Sequence, residues 1–275
     1  MSQLDCSFTG YNNTRIYAKK DLVDNPKASI VIVHGVFEHL DRYDYLVSKL
    51  NKAGYNVYRY DARGHGRSEG KKGDLKHFTD YLEDLDVYVE KVREENKSLK
   101  LVLLGHSMGG LVATAYACTH PGKIDYLVLS GACNRTPKEA KALRIIPMFM
   151  TPLFKYKNVL GDAVCSDKAV VEAYNNDPLV VKVGSFRLMK NAFIKGCDLV
   201  GKNIENINVP TLVMHGEKDG VVVVETGYWT YEHLKVEDKA LKVYEGLYHE
   251  IFNEVRKEEV IQDLIDWLKK HVEGK

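Results

Sequence analysis

Residues 100–120 read Lys100-Leu101-Val102-Leu103-Leu104-Gly105-His106-Ser107-Met108-Gly109-Gly110-Leu111-Val112-Ala113-Thr114-Ala115-Tyr116-Ala117-Cys118-Thr119-His120, and Pro121 follows. Lys100 to Leu104 is a compact apolar run of strand length, while Met108 to His120 is long enough for a helix that Pro121 stops. Between them Gly105-His106-Ser107-Met108-Gly109 fits G-x-S-x-G. With Gly and Ser near ~7% usage each, that pattern alone arises by chance in about one chain in ten of this length. Its placement is more informative. A serine on a glycine-flanked turn from strand to helix can hold a strained backbone with its hydroxyl exposed, beside the N–H groups that open the helix. The plainer alternative is a glycine-lined turn with a merely exposed serine.

Outward from this segment, short strands alternate with amphipathic helices. Ala28 to Val33 is a β-branched run, followed by Tyr43, Leu46, Val47 and Leu50 at helical spacing. Asn56 to Tyr60 is the next strand and leads into the glycine-punctuated Asp61-Ala62-Arg63-Gly64-His65-Gly66. Thr79 is a candidate N-cap for a helix whose stripe is Leu82, Leu85, Val89 and Val92. Ile124 to Leu129 is a fourth strand. Thr211 to Met214 and Ala240 to Val243 resume the alternation before an amphipathic segment from Val255 to Val272. Such alternation predicts an α/β fold, a mostly parallel central sheet with helices on both faces.

Between Cys133 and Asn208 the alternation stops. Pro137, Pro147, Pro152 and Pro178 punctuate this stretch, which reads as several short helices. We expect residues 1–132 and 209–275 to form the core and 133–208 a helical cap, placed over the strand ends where ligands bind in such folds.

The 39 basic and 38 acidic side chains leave a net charge of +1. That balance gives no electrostatic case for nucleic acid or an anionic surface. The five cysteines, Cys6, Cys118, Cys133, Cys165 and Cys197, are scattered without CxxC spacing, which favours reduced thiols over disulfides or zinc. No basic stretch followed by an apolar run opens the chain, and no apolar stretch approaches the ~20 residues of a membrane span. A cytoplasmic protein is expected.

Serine needs a base to become a nucleophile. Ten histidines compete. His34, His65 and His106 sit in tight turns, His120 ends a helix, and His77, His233 and His271 lie on or beside surface helices. His249, in the loop Gly246-Leu247-Tyr248-His249-Glu250 after a sheet strand, lies at the correct edge. Asp219, in the turn after Thr211–Met214, is the carboxylate expected to orient it, with Glu217 as rival; the chain order Ser, Asp, His suits the fold. The oxyanion donors expected are the N–H of Met108 and, from His34-Gly35-Val36-Phe37, that of Val36.

With these residues placed, the chain resembles the monoacylglycerol lipase and lysophospholipase branch of the α/β-hydrolases, the serine aminopeptidase S33 type. His34-Gly35-Val36-Phe37-Glu38-His39 through Arg42-Tyr43 resembles that family's HGxGEHxxRY. Asp61 to Ser68, the elbow, and Tyr174-Asn175-Asn176-Asp177-Pro178-Leu179 are similar to further family segments. The resemblance implies that Glu38 and Arg42 lie near the substrate's polar head; a salt bridge pinning the oxyanion loop is the alternative. Phe37 stands where the family has glycine, which would narrow the site. Phe252 replaces a polar residue found three positions after the histidine in some members.

The reaction expected is ester hydrolysis through an acyl-enzyme, with no metal or organic cofactor. Apolar cap residues including Met148 and Phe149 are candidates for the acyl chain, since each buried CH₂ contributes ~0.8 kcal/mol; ordinary core packing would explain them equally. The cap is also a candidate for transient contact with a lipid surface. Rival readings are a short-chain carboxylesterase, an aminopeptidase, and a non-hydrolytic receptor for a small ligand.

Overall fold

The computed structural model describes residues 2–138 and 140–274. Its first two strands, β1 (Ser2–Thr9) and β2 (Arg15–Leu22), pair antiparallel. Alternation then begins: β3 (Ala28–Val33), α1 (Asp44–Lys52), β4 (Asn56–Tyr60), α2 (Thr79–Glu95), β5 (Lys100–His106), α3 (Met108–Thr119) and β6 (Tyr126–Ser130). The eight-stranded sheet has the order β1-β2-β4-β3-β5-β6, closed by β9 (Thr211–Gly216) and β10 (Lys239–Tyr244). From β4 through β10 neighbouring strands run parallel. The expected fold is therefore present, with an antiparallel edge that the chain's pattern did not announce.

Side chains alternate across this sheet. Val31 and Val33 of β3 and Leu101 and Leu103 of β5 pack with Leu82, Leu85 and Val89 of α2 and with α3. Ile30, Ile32, Val102 and Leu104 pack on the opposite face with Leu46 and Leu50 of α1 and Ile261 and Leu264 near the C-terminus. Each such side chain contributes ~1.5–3 kcal/mol on burial. Every residue from Met108 to Cys118 is buried, so α3 is a core helix without a polar face. Thr79 opens α2 as its first helical residue rather than capping it through its side chain.

The segment between β6 and β9 holds short helices, as expected, and also a two-stranded antiparallel ribbon, β7 (Lys155–Lys157) with β8 (Val183–Ser185). Between the ribbon strands lie α4 (Gly161–Val164) and α5 (Lys168–Asn176); α6 (Phe186–Lys190), a π-helical turn and α7 (Cys197–Asn203) follow. Beyond β9, α8 (Glu225–His233) leads to β10, and α9 (Lys257–Leu268) covers the sheet. The loops after β3, β5, β9 and β10 all leave the same edge of the parallel strands, so residues far apart in sequence meet there.

Candidate active site

Ser107 stands between β5 and α3 with φ 55 and ψ −119, a backbone region sparsely occupied by residues other than glycine. Its N–H donates to Ser130 O at 2.9 Å, and its carbonyl accepts from Leu111 N and Cys133 N. The flanking glycines are sterically required. A Cβ on Gly105 would lie 2.4 Å from Gly109 O, and one on Gly109 would lie 2.1 Å from Val33 O. Only bare backbone allows the helix to start this close to the sheet.

His249, buried in the loop after β10, places Nδ1 2.7 Å from Asp219 Oδ2. Asp219 Oδ1 accepts from Val221 N and Val222 N, both at 2.8 Å. Burial works against this carboxylate's charge, yet His249 and the His215 contact hold its pKa well below the ordinary value. Burial likewise opposes charging His249, but Asp219's charge and hydrogen bond prevail and raise it above its ordinary value. Glu217, the rival carboxylate, instead accepts from Gly246 N at 3.0 Å on the surface. Ser107 and His249 line one small polar pocket with Gly35, Val36, Glu38 and Tyr174. No Ser107–His249 hydrogen bond forms among the described residues; such contacts often tighten only when substrate binds.

Among the described residues the amides of Val36 and Met108 have no protein acceptor, leaving both free to hold an oxyanion. Phe37 is fully buried with φ 69, the conformation that a glycine would adopt without strain. The neighbouring histidines are structural. His34 Nε2 accepts from Ala62 N at 2.9 Å, while burial lowers the pKa of His106 to about 3, with His249 adding to the shift. His106 therefore stays neutral, its ring 4.6 Å from that of His249.

Glu38 Oε1 accepts from Gly35 N at 2.5 Å and from Tyr43 Oη at 2.8 Å. Its Oε2 lies 3.2 Å from Arg42 Nε, and Arg42 also pairs with Glu250. The guanidinium covers the Tyr174 ring at 4.8 Å. Burial pushes the Glu38 carboxyl up, but His106, Arg42 and the Gly35 N–H draw it down to about 2. Burial raises Glu250, and Glu38 adds to that. Glu38 and Arg42 thus pin the oxyanion loop to the histidine loop, with Glu38 also facing the polar pocket.

On its other side Ser107 borders an apolar cavity of about 360 Å³, walled by Phe37, Leu143, Tyr156, Leu160, Phe186 and Phe193 among others. Met148 and Phe149 are not in that wall: Phe149 is 81% exposed, and Met148 lies against Thr151 and Asn191. The 3-10 turn Met148–Leu153 buries Thr151 and leaves Phe149 and Leu153 exposed. Phe252 packs in the core beside Tyr43, away from this cavity. His215, which the sequence reading passed over, lies with Nε2 3.1 Å from Asp219 Oδ2 and 2.7 Å from Val222 O. A histidine four residues before the acid in one tight turn was the available signal.

Comparison with known proteins places the chain in a family. The pattern of the serine aminopeptidase S33 family matches residues 24–256. A monoacylglycerol lipase of Mycolicibacterium smegmatis is 34% identical over 271 residues, 97% of each chain. A phospholipase of Bacillus subtilis is 32% identical over 253 residues, covering 87% of this chain and 94% of its own. The crystal structure of Paleococcus ferrophilus monoacylglycerol lipase superposes with a TM-score of 0.80 at 33% identity, over 93% of this chain and 99% of that one. The chain is a serine ester hydrolase of the α/β-hydrolase fold and belongs to the serine aminopeptidase S33 family.

Proposed function

We propose that this enzyme hydrolyses monoacylglycerols, using Ser107 as nucleophile, His249 as general base and Asp219 as its orienting carboxylate. One observation carries the reading: Ser107 and Val36 border both an apolar cavity and a small polar pocket. An ester of a long acid with a short polyol suits that arrangement, its acyl chain in the cavity and its alcohol directed toward the polar side chains on the other side. The names of the relatives above point to the same class of substrate.

Ser107 Oγ attacks the ester carbonyl while His249 takes its proton. The amides of Val36 and Met108 hold the oxyanion, and His249 returns the proton to the leaving alkoxide. Water, activated by the same imidazole, then releases the fatty acid. The polar pocket presents Glu38 and Glu250, two carboxylates with the single Arg42 between them. With its one guanidinium taken up by two carboxylates, the pocket has no cation to offer a lysophospholipid's phosphate, which favours a neutral glycerol. An aminopeptidase would need a carboxylate free to bind an ammonium, and both of these are committed to Arg42.

Residues 133–208 serve as the cap, with 1–132 and 209–275 as the core. Ile145, Phe149 and Leu153, at 86, 81 and 76% exposure, support transient contact between this cap and a lipid surface. The free cysteines favour a reducing, cytoplasmic setting. The decisive experiment offers monoacylglycerols, lysophospholipids, acetate esters and aminoacyl anilides to wild type and Ser107→Ala. Monoacylglycerol preference abolished in a folded Ser107→Ala variant is expected. Equal rates in the two proteins would overturn the mechanism, and preference for anilides or acetates would overturn the substrate.

A further inference from the structure

The loop bearing Val36 is gripped from the far side of the site. Gly35 N–H is held by Glu38, and Phe37 follows with its positive φ, so Val36 is fixed between two anchored neighbours. A bulky residue keeps such a backbone only where its surroundings impose it. Here they come from the segment between β6 and β9. Val181 N–H donates to Phe37 O at 2.8 Å. The Phe37 ring stacks on Tyr156 with centroids 6.2 Å apart, and a Cβ on Gly184 would lie 2.6 Å from its Cε1. Two residues on, His39 Nε2 lies 2.8 Å from Asp177 Oδ2. The ribbon that grips the ring is itself tied to the core. Ser185 N donates to Gly73 O at 2.7 Å, and Asp74 Oδ1 accepts from Ser185 Oγ at 2.6 Å and Arg187 Nε at 2.9 Å.

We propose that Phe37 is a positioning residue. Its ring, clasped by Tyr156 and Gly184, transmits the placement of the β7–β8 ribbon to the Val36 amide and keeps that N–H aimed at the oxyanion. A glycine at 37 would take the same φ more easily but would give the ribbon nothing to hold. Phe37 also walls the acyl cavity, so two roles must be separated. The inference rests on the hydrolytic reading above, with Val36 as a donor.

The test compares 4-nitrophenyl acetate with 4-nitrophenyl laurate, because an acetyl group makes far less contact with the cavity wall than a lauroyl chain. Phe37→Ala removes the ring from the loop side. Gly184→Ala forces the ring to shift from the ribbon side without touching the loop. Each is expected to lower kcat on both esters by a similar factor of about 10 to 100, with KM for acetate little changed. Circular dichroism verifies folding, and Gly184→Ala decides the matter if Phe37→Ala does not fold. A loss confined to laurate, or no loss on either ester, overturns the proposal by reducing Phe37 to a cavity wall. A wild-type protein inactive on both esters would instead sink the hydrolase reading itself.

Discussion

Nε2 of His215 lies 3.1 Å from Oδ2 of Asp219, the same oxygen that holds His249. The Nε2–H of His215 donates to Val222 O at 2.7 Å, which sets the ring edge beside the Asp219 carboxylate. Nδ1 has no partner among the described residues, so the ring is oriented through Nε2 alone. His215→Ala removes both the anchor to Val222 O and the polar contact beside the Asp219 carboxylate, and should lower kcat by roughly 10-fold. His215→Gln, which keeps a donor, should recover most of that loss. Steady-state kinetics check this, and an Ala variant with unchanged kcat would remove His215 from the machinery.

The pH dependence follows from the His249–Asp219 pair. His249 must be neutral to act as base, and its pKa in the folded protein is above 6.5. Activity should therefore fall as pH drops through a midpoint above 6.5. Stability runs the other way. The His249⁺–Asp219 pair contributes fully below the unfolded value of about 6.5 and is lost as pH rises through the folded one. In Asp219→Asn the attraction is gone while burial remains, so the acid limb of kcat/KM should move down. The accompanying drop in kcat should be about 10⁴-fold. A limb that stayed in place would mean that another group controls it.

Strain at Ser107 predicts a trade between activity and stability. A side chain at this φ and ψ costs ~1–3 kcal/mol, against the ~0.5–1 kcal/mol of extra chain entropy that glycine loses on folding. Ser107→Gly should abolish hydrolysis yet stabilise the fold by about 1 kcal/mol. Urea unfolding measures this, and destabilisation would show that the serine's backbone is unstrained.

Arg42 neutralises two buried carboxylates at once, its side chain only 8% exposed. Arg42→Ala leaves them unpaired, and breaking a buried pair in this way costs about 3–5 kcal/mol. With Arg42 gone both carboxyl pKa values rise in the folded state. The folded variant then binds more protons than the unfolded chain, so its deficit should shrink as pH falls toward 4.5. Denaturation at neutral and acid pH tests the sign. A deficit independent of pH would mean lost packing, not lost charge.

The central sheet was legible because β3, β5, β6 and β9 are apolar runs with turn signals on both sides. The antiparallel pair β1–β2 was not. Ser2–Thr9 buries only Phe8, and an edge strand with so few buried positions has no hydrophobic period to detect. The residues proposed as acid, base and nucleophile stood out in the sequence because each follows a recognisable strand. The acyl wall could not, because hydrophobicity does not state direction. Phe149 is as apolar as Phe186, yet the first faces solvent and the second the cavity. His215 hid in a strand end, where a polar residue commonly caps a turn.

Arg42 and Glu250, joined across 208 positions of chain, bear on the order in which the protein becomes competent during synthesis. The oxyanion loop and nucleophile are made first, whereas the imidazole and the second carboxylate emerge only near the end. A growing chain therefore carries the Ser107 hydroxyl without the His249 imidazole beside it until the last strand has joined the sheet.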